Sequence, residues 1–266
     1  MNIFSFSLIV YCIFSFWVLG LLMLFISKGN ATLKNIGLIS IIGGISLIVF
    51  NIIYLWIYLN RPPIRTLGET RLWYSFFLST IGLIIYFRWK YIWILPLSLS
   101  FAGLFLLLDL VKPAIFDQTL MPALQSPWFI PHVIVYIIAY ALLGITMLIS
   151  IKGVFLLYKG KFNNDLLMMC DNIVYIAFSF LTMGLLFGAL WAKNAWGSYW
   201  TWDPKETWAF ITWMSYLLYI HYRNYHKTAV KIPLFILSLS FIILLLCWFG
   251  INYMAAAQNS VHVYSN

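Results

Sequence analysis

Charged side chains are scarce in this sequence, at 9% of its 266 residues, whereas 64% of the residues are hydrophobic. Soluble domains contain about 45–50% apolar residues, so a soluble core could not bury this many. Intrinsic disorder is excluded, because disordered chains are poor in apolar residues. The apolar residues form long unbroken runs, which exclude an outer-membrane barrel of short alternating strands. The composition therefore predicts an all-α fold, a polytopic integral membrane helical bundle.

Basic tracts and paired cysteines are also missing. The net charge is +9, but no run of five or more Lys and Arg residues occurs, and we predict no nucleic-acid partner. Cys12, Cys170 and Cys247 form no CxxC pair and no even-numbered framework, which excludes a disulfide scaffold. The first charged residue is Lys28. Without the basic segment of a cleaved signal peptide, the amino-terminal apolar run is expected to remain as a membrane span.

Eight apolar segments come close to the length of about 20 residues that a membrane-crossing helix needs. They lie near 4–27, 36–59, 72–87, 91–110, 132–151, 167–190, 204–222 and 232–250. Basic residues between spans are retained on the cytoplasmic side. With the amino terminus outside, ten of the sixteen Lys and Arg residues fall inside, and the six outside are Arg61, Arg65, Arg71, Lys112, Lys193 and Lys205. This bias predicts that both termini lie outside.

Tryptophan is concentrated in one outer segment. Residues 191–208 contain five tryptophans, and 196–208 read WGSYWTWDPKETW. We predict an aromatic loop over 191–203. The alternative is an interfacial belt of anchoring tryptophans, but the crowding within 196–202 exceeds what anchoring requires. An aromatic surface suits a planar apolar ligand such as a porphyrin or a quinone, because offset stacking adds about 0.5–1.5 kcal/mol per ring pair.

Two carboxylates within this segment have a structural interpretation that competes with a chemical one. Asp203, Pro204 and Glu206 occupy the N-cap, first and third positions of a typical helix start. We therefore favour capping of the seventh span over direct chemistry for Asp203 and Glu206.

Only four histidines occur, and two lie on the predicted outer side with the aromatic loop. His132 follows Pro131 at the start of the fifth span, and His262 lies in the segment after the last span. Imidazole is a frequent ligand of heme iron. A heme site with His132 and His262 on opposite faces is therefore geometrically possible, and the alternative is a structural role for each.

His221 lies 17 residues beyond Pro204, which is about 26 Å along a helix. This distance places it near the inner face, too far to share an iron with the outer pair. The alternative is a helix-end residue beside Arg223. His226 is interpreted as part of an inner basic loop without a ligand role.

The segment at 196–208 resembles the tryptophan-rich WWD motif of the CcsA family, the heme-handling proteins of System II cytochrome c biogenesis. Further similar segments are RPPIRTLGETRLW at 61–73, MPALQSPWFIPHVIVY at 121–136, TWAFITWMSYLLYIHYR at 207–223 and the terminal NSVHVYSN. The resemblance covers 61–266. It divides the chain into two N-terminal transmembrane helices, 1–60, and a heme-handling cytochrome c assembly domain, 61–266.

The resemblance implies that the protein binds heme b, exports it to the outer face and attaches it to the CxxCH cysteines of apocytochrome c. It implies outer iron ligands His132 and His262 and an inner ligand, His221. It also implies a heme-binding surface formed by Trp196, Gly197, Trp200, Trp202, Asp203 and Trp208. No catalytic residue separate from this heme site is implied.

The first four predicted spans contain no histidine, so a second ligand for an inner iron must come from another chain. The resemblance implies a membrane subunit of the CcsB/ResB type, with which this chain would form a cytochrome c synthase (heme lyase). The membrane would be the bacterial inner (cytoplasmic) membrane or the thylakoid membrane. Two alternatives stay open: a heme exporter or chaperone without ligase activity, and a heme-b subunit of a respiratory complex.

Overall fold

The computed structural model describes residues 3–111 and 122–253. Two short 3₁₀ turns, Pro122–Gln125 and Gly250–Tyr253, accompany eight long helices. The helices are α1 Ile3–Ile26, α2 Ala31–Leu59, α3 Leu67–Trp89, α4 Ile94–Val111, α5 Phe129–Tyr158, α6 Asp165–Trp196, α7 Pro204–Tyr225 and α8 Lys231–Trp248. Within these described ranges no residue belongs to a strand. The predicted all-α fold is confirmed.

Seven of these helices are long and apolar enough to cross a membrane, and α7 is the exception. With 22 residues, α7 measures about 33 Å, so its length would suffice. Its many Tyr, Trp and Thr residues, together with charged side chains near both ends, lower its hydropathy. Large apolar side chains on the spans, such as Leu22, Phe50 and Leu186, are at least half exposed, as expected for surfaces that face lipid. The protein is an integral membrane protein.

The helices form two compact units, Met1–Thr119 and Leu120–Asn266. In the first unit, α1 packs on α2, α2 on α3, α3 on α4, and α4 back on α1. In the second unit, α5, α6, α7 and α8 make the same cyclic set of contacts. Each unit is thus a four-helix ring whose chain neighbours are also spatial neighbours, which the short connections between helices favour.

Helix starts follow local capping chemistry. The Thr66 hydroxyl accepts a hydrogen bond from the Glu69 N–H, and the Glu69 carboxylate accepts one from the Thr66 N–H. This reciprocal capping box begins α3 at Leu67. Asp203 and Glu206 form the same arrangement at the start of α7, with Pro204 in its first turn. The predicted capping role of both carboxylates and the predicted start of α7 are confirmed.

Candidate functional site

The aromatic segment is divided between a helix and a loop. We predicted a loop over 191–203, but α6 continues to Trp196, so this prediction was wrong for residues 191–196. The helix ends where Gly197 adopts a left-handed conformation with φ 84° and donates its N–H to the Lys193 carbonyl. Glycine accepts this conformation without steric penalty. Trp191 and Trp196 therefore have helical positions, and the loop itself is 197–203.

Glu206 holds the far end of this loop. Its Oε2 accepts hydrogen bonds from the backbone N–H groups of Thr201 at 2.8 Å and Asp203 at 3.1 Å. Asp203 accepts from the Lys205 N–H at 2.9 Å. Both carboxylates are buried and accept hydrogen bonds from the loop and helix backbone. These hydrogen bonds fix the backbone of the loop that carries the tryptophans.

Trp202, near the end of this loop, has an unusual backbone conformation. Its φ is 58°, a region that bulky residues rarely adopt. Its side chain is 64% exposed, and its ring meets the Trp200 ring edge-on at 5.7 Å between centroids. Strained conformations of about 1–3 kcal/mol persist where the surrounding structure enforces them, often at binding sites. In this conformation most of the Trp202 side chain is exposed.

The Trp200 indole is an unsatisfied donor within the same loop. Its Nε1 is buried and has no hydrogen-bond partner in the described part of the chain. Buried N–H groups in proteins are nearly always hydrogen-bonded. A bound ligand with an acceptor oxygen would satisfy this donor.

His132 lies in the first turn of α5 and is oriented by α6. Its Nδ1 lies 2.9 Å from the carbonyl oxygen of Gly184. A carbonyl oxygen only accepts, so Nδ1 carries the proton and donates, and Nε2 carries the lone pair. This arrangement, with one ring nitrogen bonded to a backbone carbonyl, is the usual one for histidines that bind metals through the other nitrogen.

Two glycines of α6 make room for rings of α5, Gly188 for His132 and Gly184 for Tyr136. A Cβ on Gly188 would stand 2.8 Å from His132 Cε1, and a Cβ on Gly184 would stand 2.7 Å from Tyr136 Cε1. Neither approach is possible with a larger residue. Gly184 and Gly188 were missed by the sequence analysis, although two glycines four residues apart are a readable signal for close helix packing in membranes.

Trp191 connects His132 to the tryptophan-rich segment. The ring centroids of Trp191 and His132 are 5.3 Å apart, and those of Trp191 and Trp196 are 5.0 Å apart. The Trp191 indole is buried and donates to the Ala123 carbonyl at 2.8 Å. The structure thus brings His132 together with the helical part of the motif through one buried indole.

His221 lies near the opposite end of α7 from Pro204. The helix between them is continuous, so the separation of about 26 Å along its axis stands. The His221 side chain is exposed. Arg223 forms an ion pair with Asp171, Nη2 to Oδ2 at 2.7 Å, and the Tyr219 hydroxyl donates to the same carboxylate at 2.6 Å.

A cleft of about 380 Å³ adjoins this ion pair, between the first turns of α6 and the end of α7. Its lining includes Asp171, Tyr175, Arg223 and Lys227. His221 lies on the same part of α7 but is not among the lining residues.

The other predicted site residues are placed as follows. Trp208 is half-buried in the first turns of α7. His262 lies outside the described residues, so its role as second outer ligand stays a prediction. Among the cations predicted to lie outside, Lys193 donates to the Gly197 carbonyl at 2.8 Å and lies 5.4 Å from the Tyr199 ring centroid. This hydrogen bond lies at the carboxyl-terminal end of α6.

The sequence is similar to proteins of cytochrome c maturation. A family model described as cytochrome C assembly protein matches residues 6–257. The cytochrome c biogenesis protein CcsA of Lactuca sativa is 31% identical, with 77% of this chain and 79% of that protein covered. CcsA of Solanum tuberosum is 33% identical over 77% of this chain and 78% of that protein. CcsA of Chlamydomonas reinhardtii is 41% identical over 53% of this chain and 42% of that protein. With matches that span most of its length, this chain belongs to the cytochrome c assembly family.

Proposed function

We propose that this chain binds heme b on its outer side and presents it for attachment to apocytochrome c. His132 and His262 would hold the iron, and the segment Trp196–Trp208 would contact the porphyrin. The vinyl groups of the heme would form thioether bonds with the two cysteines of a CxxCH motif. Membership of the cytochrome c assembly family and the membrane-spanning helices support this proposal.

The observation that carries the proposal is the fixed tautomer of His132. Nδ1–H donates a hydrogen bond to the Gly184 carbonyl, so Nε2 carries the lone pair that would coordinate iron. The ring also lies against Trp191, which contacts Trp196. Gly188 leaves room for the ring in this position.

The residues of the loop fit a porphyrin. Trp202 offers an exposed ring, and the Trp200 Nε1 is a buried donor without a partner among the described residues. An indole N–H donates to carboxylate oxygens, which a heme carries on its propionates. Bound heme supplies the iron and the reactive vinyl groups, and the protein supplies position and electrostatics.

A second chain is part of the proposal. Residues 1–131 contain no histidine, so an inner heme held by His221 needs a ligand from elsewhere. A membrane subunit of the CcsB/ResB type would supply it. The membrane would be the bacterial cytoplasmic membrane or the thylakoid membrane, with the loop 197–203 and both termini on the outer side.

Deleting the gene is expected to abolish covalent attachment of heme to c-type cytochromes. Peroxidase staining of heme on denaturing gels measures this attachment directly. Absorption of b-type cytochromes in native membranes controls for heme supply, because their heme is not covalently attached. Normal covalent staining in a strain without a second copy of the gene would refute the proposal. Apocytochrome that receives outer heme without forming the thioether bonds would favour the exporter alternative.

Substitution at the two ends of α7 is expected to have different consequences. His221→Ala should lower the amount of heme that reaches the outer site several-fold but leave its absorption maximum unchanged, because His221 is about 26 Å from the loop. Trp202→Ala should shift the maximum, because the indole would contact the porphyrin. Heme per protein and the spectrum of the bound fraction are measured on both variants. Full occupancy in His221→Ala would show that the inner site does not exist.

A further inference from the structure

A cluster of buried charges occupies the start of α3 in the first unit. It contains three guanidinium groups, from Arg61, Arg65 and Arg71, and two carboxylates, from Glu69 and Asp109. The carboxylates are fully buried, and Arg61 and Arg71 are less than a tenth exposed. Cations outnumber anions in this cluster by one.

Glu69 is engaged by donors other than the Arg65 side chain. Its Oε1 accepts from Arg61 Nη2 at 2.8 Å. Its Oε2 accepts from Arg61 Nη1 at 2.9 Å and from the backbone N–H groups of Arg65 at 2.6 Å and Thr66 at 3.2 Å. A carboxylate offers about four lone-pair positions. Four hydrogen bonds thus engage Glu69, and none of them comes from the Arg65 side chain.

Asp109 is engaged by another arginine. Its Oδ1 lies 2.7 Å from Arg71 Nε, with both side chains buried. This ion pair joins the start of α3 to the end of α4. Each carboxylate of the cluster thus has its own guanidinium partner.

Arg65 is the cation that remains. Its Nε and Nη1 are buried and have no hydrogen-bond partner in the described part of the chain. Burial and the neighbouring Arg61 charge both lower the pKa of the Arg65 guanidinium, and Glu69 raises it only in part. Arginine stays protonated in proteins despite such shifts. The Arg65 side chain as a whole is half-buried, but each buried unsatisfied N–H group calls for an explanation.

We infer that Arg65 binds an oxyanion of a ligand at the start of α3. The guanidinium group is suited to carboxylates and phosphates, and an anion here would satisfy both buried N–H groups and reduce the repulsion from Arg61. Two ligands carry this chemistry: the propionate of a heme and the phosphate of an anionic lipid. The first rests on the proposed heme function, whereas the second does not.

The test uses the full chain in lipid nanodiscs, with Arg65→Gln as the main variant. Arg88→Gln is the matched control, since Arg88 lies at the other end of α3 and stands over the Trp89 ring without a buried N–H. One arm measures binding of heme b and of heme b with both propionates methyl-esterified. The other arm, in the phosphate-free detergent dodecyl maltoside instead of nanodiscs, measures the rise in melting temperature when phosphatidylglycerol is added.

If a propionate is the ligand, Arg65→Gln should weaken binding of heme b about tenfold and leave binding of the ester unchanged. If a lipid phosphate is the ligand, the variant should lose the stabilisation by phosphatidylglycerol and bind heme normally. Arg88→Gln should behave as the native chain in both arms. Should the native chain bind no heme, the proposed function fails, and the lipid arm alone decides the role of Arg65.

The stability of the ligand-free variant separates this inference from a structural role. In dodecyl maltoside alone, Arg65→Gln should melt at the native temperature or above it, because no hydrogen bond of the guanidinium is removed. A variant that melts lower there, or one that responds to both ligands like the native chain, would overturn the inference. Arg65→Lys provides a second variant, expected to retain part of the binding because it keeps the charge but lacks the planar donor group.

Discussion

Replacing His132 with glycine is expected to lower the outer heme content at least about tenfold and to abolish attachment to apocytochrome c. Loss of a single outer hydrogen-bond partner of a metal ligand already weakens metal binding by about 10–100-fold. Loss of the ligand itself removes a bond to iron. The measurements are heme per purified protein, the absorption spectrum of that heme and covalent heme staining in cells.

Added imidazole is expected to restore part of the function of His132→Gly. Glycine leaves the space of the ring between Trp191, Tyr136 and the glycines of α6, and imidazole fits it. His226→Gly is the matched control, because His226 is exposed and its ring stacks on Tyr222 at 4.5 Å. Normal cytochrome maturation by His132→Gly, or equal losses in both variants, would show that His132 is not an iron ligand.

Much of the helical architecture could be predicted from hydropathy, and the differences have local causes. We predicted the third span from 72, but α3 begins at Leu67. Its first two turns carry Glu69 and Arg71, which lower the hydropathy there, although the capping box at Thr66 was readable. We predicted the fifth span to end at 151, but α5 continues to Tyr158. Lys152 interrupts the apolar run, but the helix continues through it. Its ammonium nitrogen lies 5.6 Å from the Phe155 ring centroid.

Individual residues of the site could be predicted from the sequence, but the contacts between them could not. Asp203 and Glu206 were recognisable as helix-capping residues because that signature is local in sequence. The contact of His132 with Trp191 depends on how α5 and α6 pack, and sequence spacing does not determine it. The glycine pair at 184 and 188 was readable as a packing signal, but its partner ring was not. In the sequence, Arg65 could not be distinguished from the other cations predicted outside. The structure shows that Arg61 and Arg71 each pair with a carboxylate, whereas Arg65 does not.

Substituting Gly188 with alanine is expected to reduce heme retention about 10–100-fold although no ligand is changed. The new methyl group would stand 2.8 Å from His132 Cε1, so the ring must move. Moving it breaks or lengthens the bond from Nδ1 to the Gly184 carbonyl, which is the kind of outer contact whose loss has this effect. Alanine favours a helix over glycine by about 1 kcal/mol, so a general loss of α6 is not expected. Heme per protein and the melting temperature are measured together.

Gly153→Ala is the control for close packing alone. Its Cβ would stand 3.1 Å from Leu234 Cδ2, and Gly153 lies 21 residues beyond His132 in α5. We expect this variant to retain heme. The decisive measurement combines Gly188→Ala with His132→Gly. If Gly188 acts by positioning the imidazole, the alanine should have no further effect once the ring is gone, since contacting residues are not additive. Additive losses in the double variant would instead assign Gly188 to the packing of α5 on α6.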